Sequence, residues 1–380
     1  MILDYETLKV IWWALIGVLL IAFALTDGFD MGVGTLLPIV GKTDEERRIM
    51  LNTVGPHWEG NQVWFVTAGG ALFAAWPLVY AMAFSGFYLA MMITLFALFF
   101  RPVGFDYRSK LTSTRWRTSW DWALFIGSVV PPIIFGVAFG NILLGVPFHF
   151  DEFMRPYYTG TFLQLLNPFS LLVGLVSLSM IMMHGAVWLQ MRTLDGLEAR
   201  TRDAAKYASL ALIVTFALAG IWLSTSIQGF VINTMPDTNT AFTPDLKQVS
   251  QQTGAWLTNY QTYPWMMLAP TAGFLGAIIV YFASHNSRAG FAFIGSAFAI
   301  MGVILTAGFS MFPFIMPSST DINSSLTIWD ATSSLMTLKI MFWVAVIFVP
   351  IIAAYSFWTY RKMWGRIGIH FIRNNQHSTY

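Results

Sequence analysis

Nine runs of about twenty mostly apolar residues recur along this 380-residue chain, and no other feature limits its fold so severely. A helix rises about 1.5 Å per residue, so such a run matches the roughly 30 Å hydrocarbon core of a bilayer. Inside that core each segment must satisfy its own backbone N–H and C=O groups, which leaves helices or closed barrels as spanning structures. The runs are continuous rather than alternating, so helices are expected over roughly 9–26, 54–76, 79–100, 122–144, 165–189, 207–226, 264–283, 291–312 and 335–358. Pro77 marks the turn between the second and third. Composition agrees, because 56% of residues are hydrophobic and only 11% are charged, against about a quarter charged in soluble domains. The fold class expected is an all-α integral membrane protein. The first ten residues are net acidic, and no small-residue cleavage site follows them, so the first run reads as a retained span rather than a signal peptide.

The basic residues fix an orientation. With the N-terminus outside, 17 Lys and Arg fall in inner connections and the tail, 3 (Lys9, Arg155 and Lys247) fall outside, and Lys339 lies within the last run. Positive charge collects on the cytoplasmic side, so the N-terminus is expected in the periplasm and the C-terminus in the cytoplasm. The polar connection 227–263 is then expected as a solvated outer loop. A net charge of +2 gives no basis for nucleic-acid binding. Cysteine is absent, so this chain holds no disulfide, thiolate haem ligand or iron–sulfur cluster.

Chemistry concentrates in two stretches. TDGFDMGVG (26–34) places Asp27 and Asp30 three apart on one helical face, while Gly28, Gly32 and Gly34 allow a neighbouring helix to approach closely. GPHWEGNQVW (55–64) sets His57, Trp58, Glu59, Asn61 and Gln62 at the mouth of the second run. Charge at the edge of hydrocarbon is expensive and marks a candidate site. If consecutive helices are neighbours, Asp27, Asp30 and Glu59 form a row near the inner ends of the first two spans and can hand protons inward. The structural alternative is that each caps a helix or pairs with a cation, and Arg101 in FFRPVGFD is a natural partner. Arg108 and Lys110 are expected at that end on topology alone. Asp330 and Lys339 are nine apart and so do not share a helical face; FPFIMPSST before them is expected to be an irregular outer connection without chemistry.

Of six histidines, His149, His285, His370 and His377 fall in connections or tail. His184, inside the fifth run, is expected to bond a backbone carbonyl or face water. No two histidines share a metal-ligand spacing, so no zinc site is expected.

The stretches IWW, GFDMGVG, DEERRIM, PHWEGNQVW, AGGALFAAWP, FSGFY, LFFRPVGFDYRSK, FPFIMPSS and WDATSS together make the chain resemble subunit II of the proteobacterial cytochrome bd ubiquinol oxidases, over essentially its whole length. The resemblance implies two four-helix bundles (within 1–144 and 165–312), a peripheral ninth helix (335–358) and a cytoplasmic tail (359–380). It implies a haem-free subunit of a bacterial inner-membrane oxidase that oxidises ubiquinol and reduces oxygen to water. Haem b, haem d and the quinol site would lie in a partner subunit I, whose haem pocket this chain completes while supplying a cytoplasmic proton path. A bound ubiquinone in a lipid-facing groove and a small accessory subunit are further expectations of the same kind. From the residues alone, a proton-coupled secondary transporter is the alternative, although no inverted repeat is visible.

Overall fold

The computed structural model describes residues 4–374 and residue 380. Residues 1–3 of the acidic start, and 375–379 of the tail with His377, lie outside the described residues. The helices are α1 Tyr5–Val40, α2 Asp44–Asn52, α3 Trp58–Ala75, α4 Pro77–Gly86, α5 Tyr88–Tyr107, α6 Thr114–Leu144, α7 Pro168–Arg192, α8 Asp195–Thr225, α9 Thr258–Thr262, α10 Leu268–His285, α11 Ala289–Met311, α12 Leu335–Lys362 and α13 Ile369–Asn374. Among the described residues eight helices are long and apolar enough to cross a membrane, and α3 with α4 makes a ninth if that pair is one span.

Two expectations need correction here. The first span does not end at residue 26; nothing in the sequence there breaks a helix, and α1 continues through both aspartates to Val40, capped by Gly41. The third span begins at Tyr88 rather than 79. Pro77 cannot donate a backbone bond and forces Trp76 out of the helical region (φ −131°, ψ 70°), so α3 and α4 meet at 119°. After Gly86 the chain breaks again at Phe87, and the Tyr158 ring lies 2.9 Å from where a Cβ on Gly86 would stand. Ten-residue α4, about 15 Å long, is too short to cross by itself.

Helix α1 is the common wall. It packs against α3, α6, α7, α11 and α12, while α7, α8, α10 and α11 close a ring of their own. The α1–α7 crossing is backbone on backbone. A Cβ on Gly32 would lie 2.3 Å from the Ile181 carbonyl oxygen, and one on Gly185 would lie 2.4 Å from the Gly32 carbonyl carbon. Neither position accepts alanine without separating the helices. Helix α12 stands apart: Leu338 is its only buried residue.

The two ends differ in construction. Where α1 begins, the connections fold into three hairpins: β1 (Phe148–Phe150) with β2 (Pro156–Tyr158), β3 (Gln228–Thr234) with β4 (Gln248–Thr253), and β5 (Phe314–Met316) with β6 (Leu326–Thr327). The 227–263 segment is therefore not simply a solvated loop; Phe230, Val249 and Trp256 pack with Phe314 in a buried cluster. Lys9 is fully buried there and donates to the carbonyls of Thr238, Thr240 and Trp329 at 2.8, 2.9 and 2.6 Å. Lys247 meets Asp330 at 2.8 Å and donates to the carbonyls of Pro244 and Asn323. Burial pushes Asp330 up and Lys247 down from their ordinary values. At the opposite end Arg108, also buried, bridges Asp121 (2.5 Å) and Asp44 (2.9 Å), with Arg47 on Asp121 and Arg117 on Asp44. Topology alone does not account for Arg108, which ties α2, α5 and α6 together.

Candidate functional site

The middle of α1 carries two buried carboxylates, and each turns to a different neighbour. Asp27 faces α5. Arg101 Nη1 donates to its Oδ2 at 2.9 Å and Nη2 to its Oδ1 at 2.5 Å, both side chains being 1% exposed. A bidentate pair leaves neither charge bare in an apolar interior. Trp58 covers it, stacking on Phe105 at 5.3 Å with its ring 5.9 Å from the guanidinium carbon.

Asp30, one turn on, faces α3. Its Oδ2 accepts from Asn61 Nδ2 at 2.7 Å, while Oδ1 has no hydrogen-bond partner among the described residues. The His57 Nδ1 atom lies 4.0 Å from that free oxygen. His57 and Asn61, four apart where α3 starts, present themselves on one face with 3.4 Å between Nδ1 and Nδ2. The Tyr360 hydroxyl, from α12, donates to Asn61 Oδ1. Rings of Phe29, Trp188 and Tyr360 meet the imidazole edge to face and exclude space for solvent. The result is a buried pocket in which one carboxylate oxygen has no donor among the described residues.

Glu59 and Gln62 do not join it. Glu59 is exposed and Gln62 half-buried, and neither makes a hydrogen bond or ion pair among the described residues. Position 59 is two residues from both 57 and 61, hence about 200° round the helix from each, so it must face outward when they face inward. The row of three acids is thus two buried acids and one on the surface. Tyr360, Trp188 and Phe29 were missed by the sequence reading; in sequence Tyr360 looks like one more aromatic at a span end, and its partner is 299 residues away.

Among the histidines, His184 is held by its neighbours in the bundle. His184 Nε2 lies 3.0 Å from the Leu25 carbonyl, which can only accept, so that nitrogen carries hydrogen; Nδ1 lies 2.8 Å from Ser296 Oγ. Both nitrogens are engaged, as a bundle histidine bonded to backbone requires. Among the described residues no group of three His, Cys, Asp or Glu is placed to hold a metal.

Known proteins resemble this chain along its whole length. Residues 8–363 match the family described as cytochrome bd terminal oxidase subunit II. The chain is 56% identical over 378 residues to cytochrome bd-I ubiquinol oxidase subunit 2 of Escherichia coli, covering 100% of both. It is 52% identical over 378 residues to the probable cytochrome oxidase subunit 2 of Haemophilus influenzae, again covering 100% of both. Against cytochrome bd ubiquinol oxidase subunit 2 of Bacillus subtilis the identity is 30%, covering 92% of this chain and 94% of that one. A chain of the bd oxidase from Geobacillus thermodenitrificans shares the fold, with a TM-score of 0.67 and 15% identity over 93% of this chain and 98% of that one. This multi-pass membrane protein belongs to the cytochrome bd terminal oxidase subunit II family, and is thereby one subunit of a haem-containing oxidoreductase complex.

Proposed function

We propose that this chain is the haem-free, proton-delivering subunit of an oxidase that takes electrons from ubiquinol, reduces oxygen to water and builds proton-motive force across a bacterial inner membrane. Haems b and d and the quinol-oxidising site belong to subunit I, whose haem pocket this chain completes. The N-terminus lies in the periplasm and the C-terminus in the cytoplasm. Two four-helix bundles, α1, α3, α5, α6 and α7, α8, α10, α11, carry α12 at their edge. A ubiquinone bound in a lipid-facing groove and a small accessory subunit complete the assembly.

One observation carries the proton path: Asp30 keeps a buried oxygen without a donor, 4.0 Å from His57. Oxygen reduction consumes protons as well as electrons, and a dry interior conducts them only through titratable or hydrogen-bonding groups. Glu59, exposed on the first turn of α3, is the entrance. Asp30, set by Asn61, is the buried station. Asp27, clamped by Arg101, fixes the field beside it, and Gln62 with Trp58 lines the approach.

The test compares ubiquinol-driven oxygen uptake per haem in membranes of the parent, Asp30→Asn, Glu59→Gln and Glu59→Asp. Slowed uptake at constant haem content in both amide variants, with Glu59→Asp near the parent, is expected. Parental turnover in both amide variants means that the carboxylates are structural and protons enter through the other subunit.

A further inference from the structure

A cavity of about 580 Å³ opens between the C-terminal ends of α7 and α12 and the segment that follows α12, and the proton path does not use it. Arg192, Lys362 and Arg366 line it, with no acidic side chain among the described lining residues. Arg192 is only 4% exposed. Its Nη2 donates to the Met363 carbonyl at 2.8 Å, whereas its Nε has no partner. The rings of Trp188 and Trp364 hold the guanidinium from two sides at 5.4 and 5.5 Å, and the Ile367 N–H closes on the Arg192 carbonyl at 2.8 Å. Lys362 and Arg366 stand exposed at the mouth without a hydrogen bond or ion pair among the described residues. A buried, fixed donor with no acceptor beside two free cations is an incomplete site, and the chemistry that completes it is an anion with several acceptor oxygens.

A second observation says what else that anion carries. On α12, Ile351, Tyr355 and Trp358 are 57%, 65% and 54% exposed. They follow one another at helical spacing, and the next position on that face is Lys362, at the cavity mouth. An apolar stripe therefore runs straight into a cationic cup. We propose that the cavity binds the phosphate headgroup of an anionic phospholipid whose acyl chains lie along this face of α12. Because Tyr360 sits on the same turn and donates to Asn61, the lipid steadies the helix that closes the Asp30 pocket.

The experiment uses the purified, delipidated oxidase complex, incubated with phosphatidylglycerol, with phosphatidylcholine, or with phosphatidylglycerol in excess inorganic phosphate, and read by native mass spectrometry. Haem content confirms that the double variant K362Q/R366Q, altered only at exposed positions, is assembled. The parent is expected to retain one phosphatidylglycerol more than K362Q/R366Q, K362R/R366K to retain it again, and phosphatidylcholine to show no difference. Equal phosphatidylglycerol retention in parent and K362Q/R366Q overturns the proposal. Complete displacement by inorganic phosphate overturns it too, by showing a free-anion site indifferent to acyl chains.

Discussion

The start and the middle of α1 bury charge by opposite rules. At the end where the helix begins, Lys9 is surrounded by three carbonyls and Lys247 by a carboxylate and two carbonyls, so each ammonium has as many acceptors as it has protons. Further along the helix, Asp27 is equally complete, but Asp30 is not. Leaving a buried acceptor without a donor costs about 1–3 kcal/mol, and Asp30 Oδ1 bears that cost alongside other buried atoms such as Arg108 Nη1 and Arg192 Nε. The contrast separates fully paired charges that hold the protein together from the carboxylate that we propose changes its protonation state.

The all-or-none test of this contrast is which side each end of the molecule faces. Alkaline phosphatase inserted in the 234–243 turn should be active, and the same enzyme fused after Arg373 inactive. The reverse would exchange the two sides and put the Asp30 pocket next to the wrong compartment.

Next in size are the complete pairs. Lys247→Met and Arg101→Leu each strand a buried carboxylate, a loss of roughly 3–5 kcal/mol. Both should sharply reduce assembled complex, and in what assembles Lys247→Met should leave turnover per haem little changed, whereas Arg115→Leu, at an exposed position, should have almost no effect. The double variant K247M/D330L should recover most of the loss in thermal unfolding of the complex. If Arg101→Leu assembles as well as Arg115→Leu, the inner pair is not a structural counterpart of the outer one.

Asp30→Asn should show the opposite signature: full assembly, with oxygen uptake per haem lowered by up to roughly 10²-fold, the low end of what a positioned proton-transfer group contributes. Glu59→Gln should be milder, since solvent can substitute at an exposed entrance.

Acid should distinguish the ends more gently. Burial pushes Glu46 up, but the Arg200 guanidinium at 2.6 Å and the N–H groups of Lys42 and Thr43 outweigh it, so Glu46 titrates below its ordinary value. Its contribution is present above 4.5 and is lost as pH falls through the lowered folded value. Asp330 runs the other way: its folded value is raised, so its contribution is complete below 3.8 and lost as pH rises. Acidification below pH 4.5 should therefore raise hydrogen exchange around α2 before the β3–β4 hairpin. The smallest expected effect is none: His184→Ala should leave the number of haems per complex unchanged by optical spectrum, and loss of one would return a ligand to this chain.

Hydropathy made the spans legible because the bilayer imposes a length that any sequence must meet. It misplaced their edges where helices outrun the hydrocarbon, as α1 does by fourteen residues beyond 26. The Gly28, Gly32 and Gly34 approach was readable because small residues at helical spacing have few other uses. The Arg101 partnership was readable as a need, though the sequence left open which acid would meet it. What stayed hidden was decided by packing between distant segments: Lys247 with Asp330, Tyr360 with Asn61, and the side of α3 on which Glu59 falls. Membership of an oxidase family separates the oxidase from the transporter, which residue chemistry alone did not.

The Asp27–Arg101 pair also sets a timetable. Its members are 74 residues apart, so at 5–20 residues per second Asp27 leaves the ribosome about 4–15 s before Arg101 does. For that interval an ionised Asp27 at bilayer depth is disfavoured by roughly 2.5–3.5 kcal/mol. We predict that α1 waits at the translocon, and is released into lipid only when α5 emerges. Photo-crosslinking of stalled nascent chains should find α1 against the translocon in chains ending before residue 101 and against α5 in longer ones, and Asp27→Leu should abolish the delay.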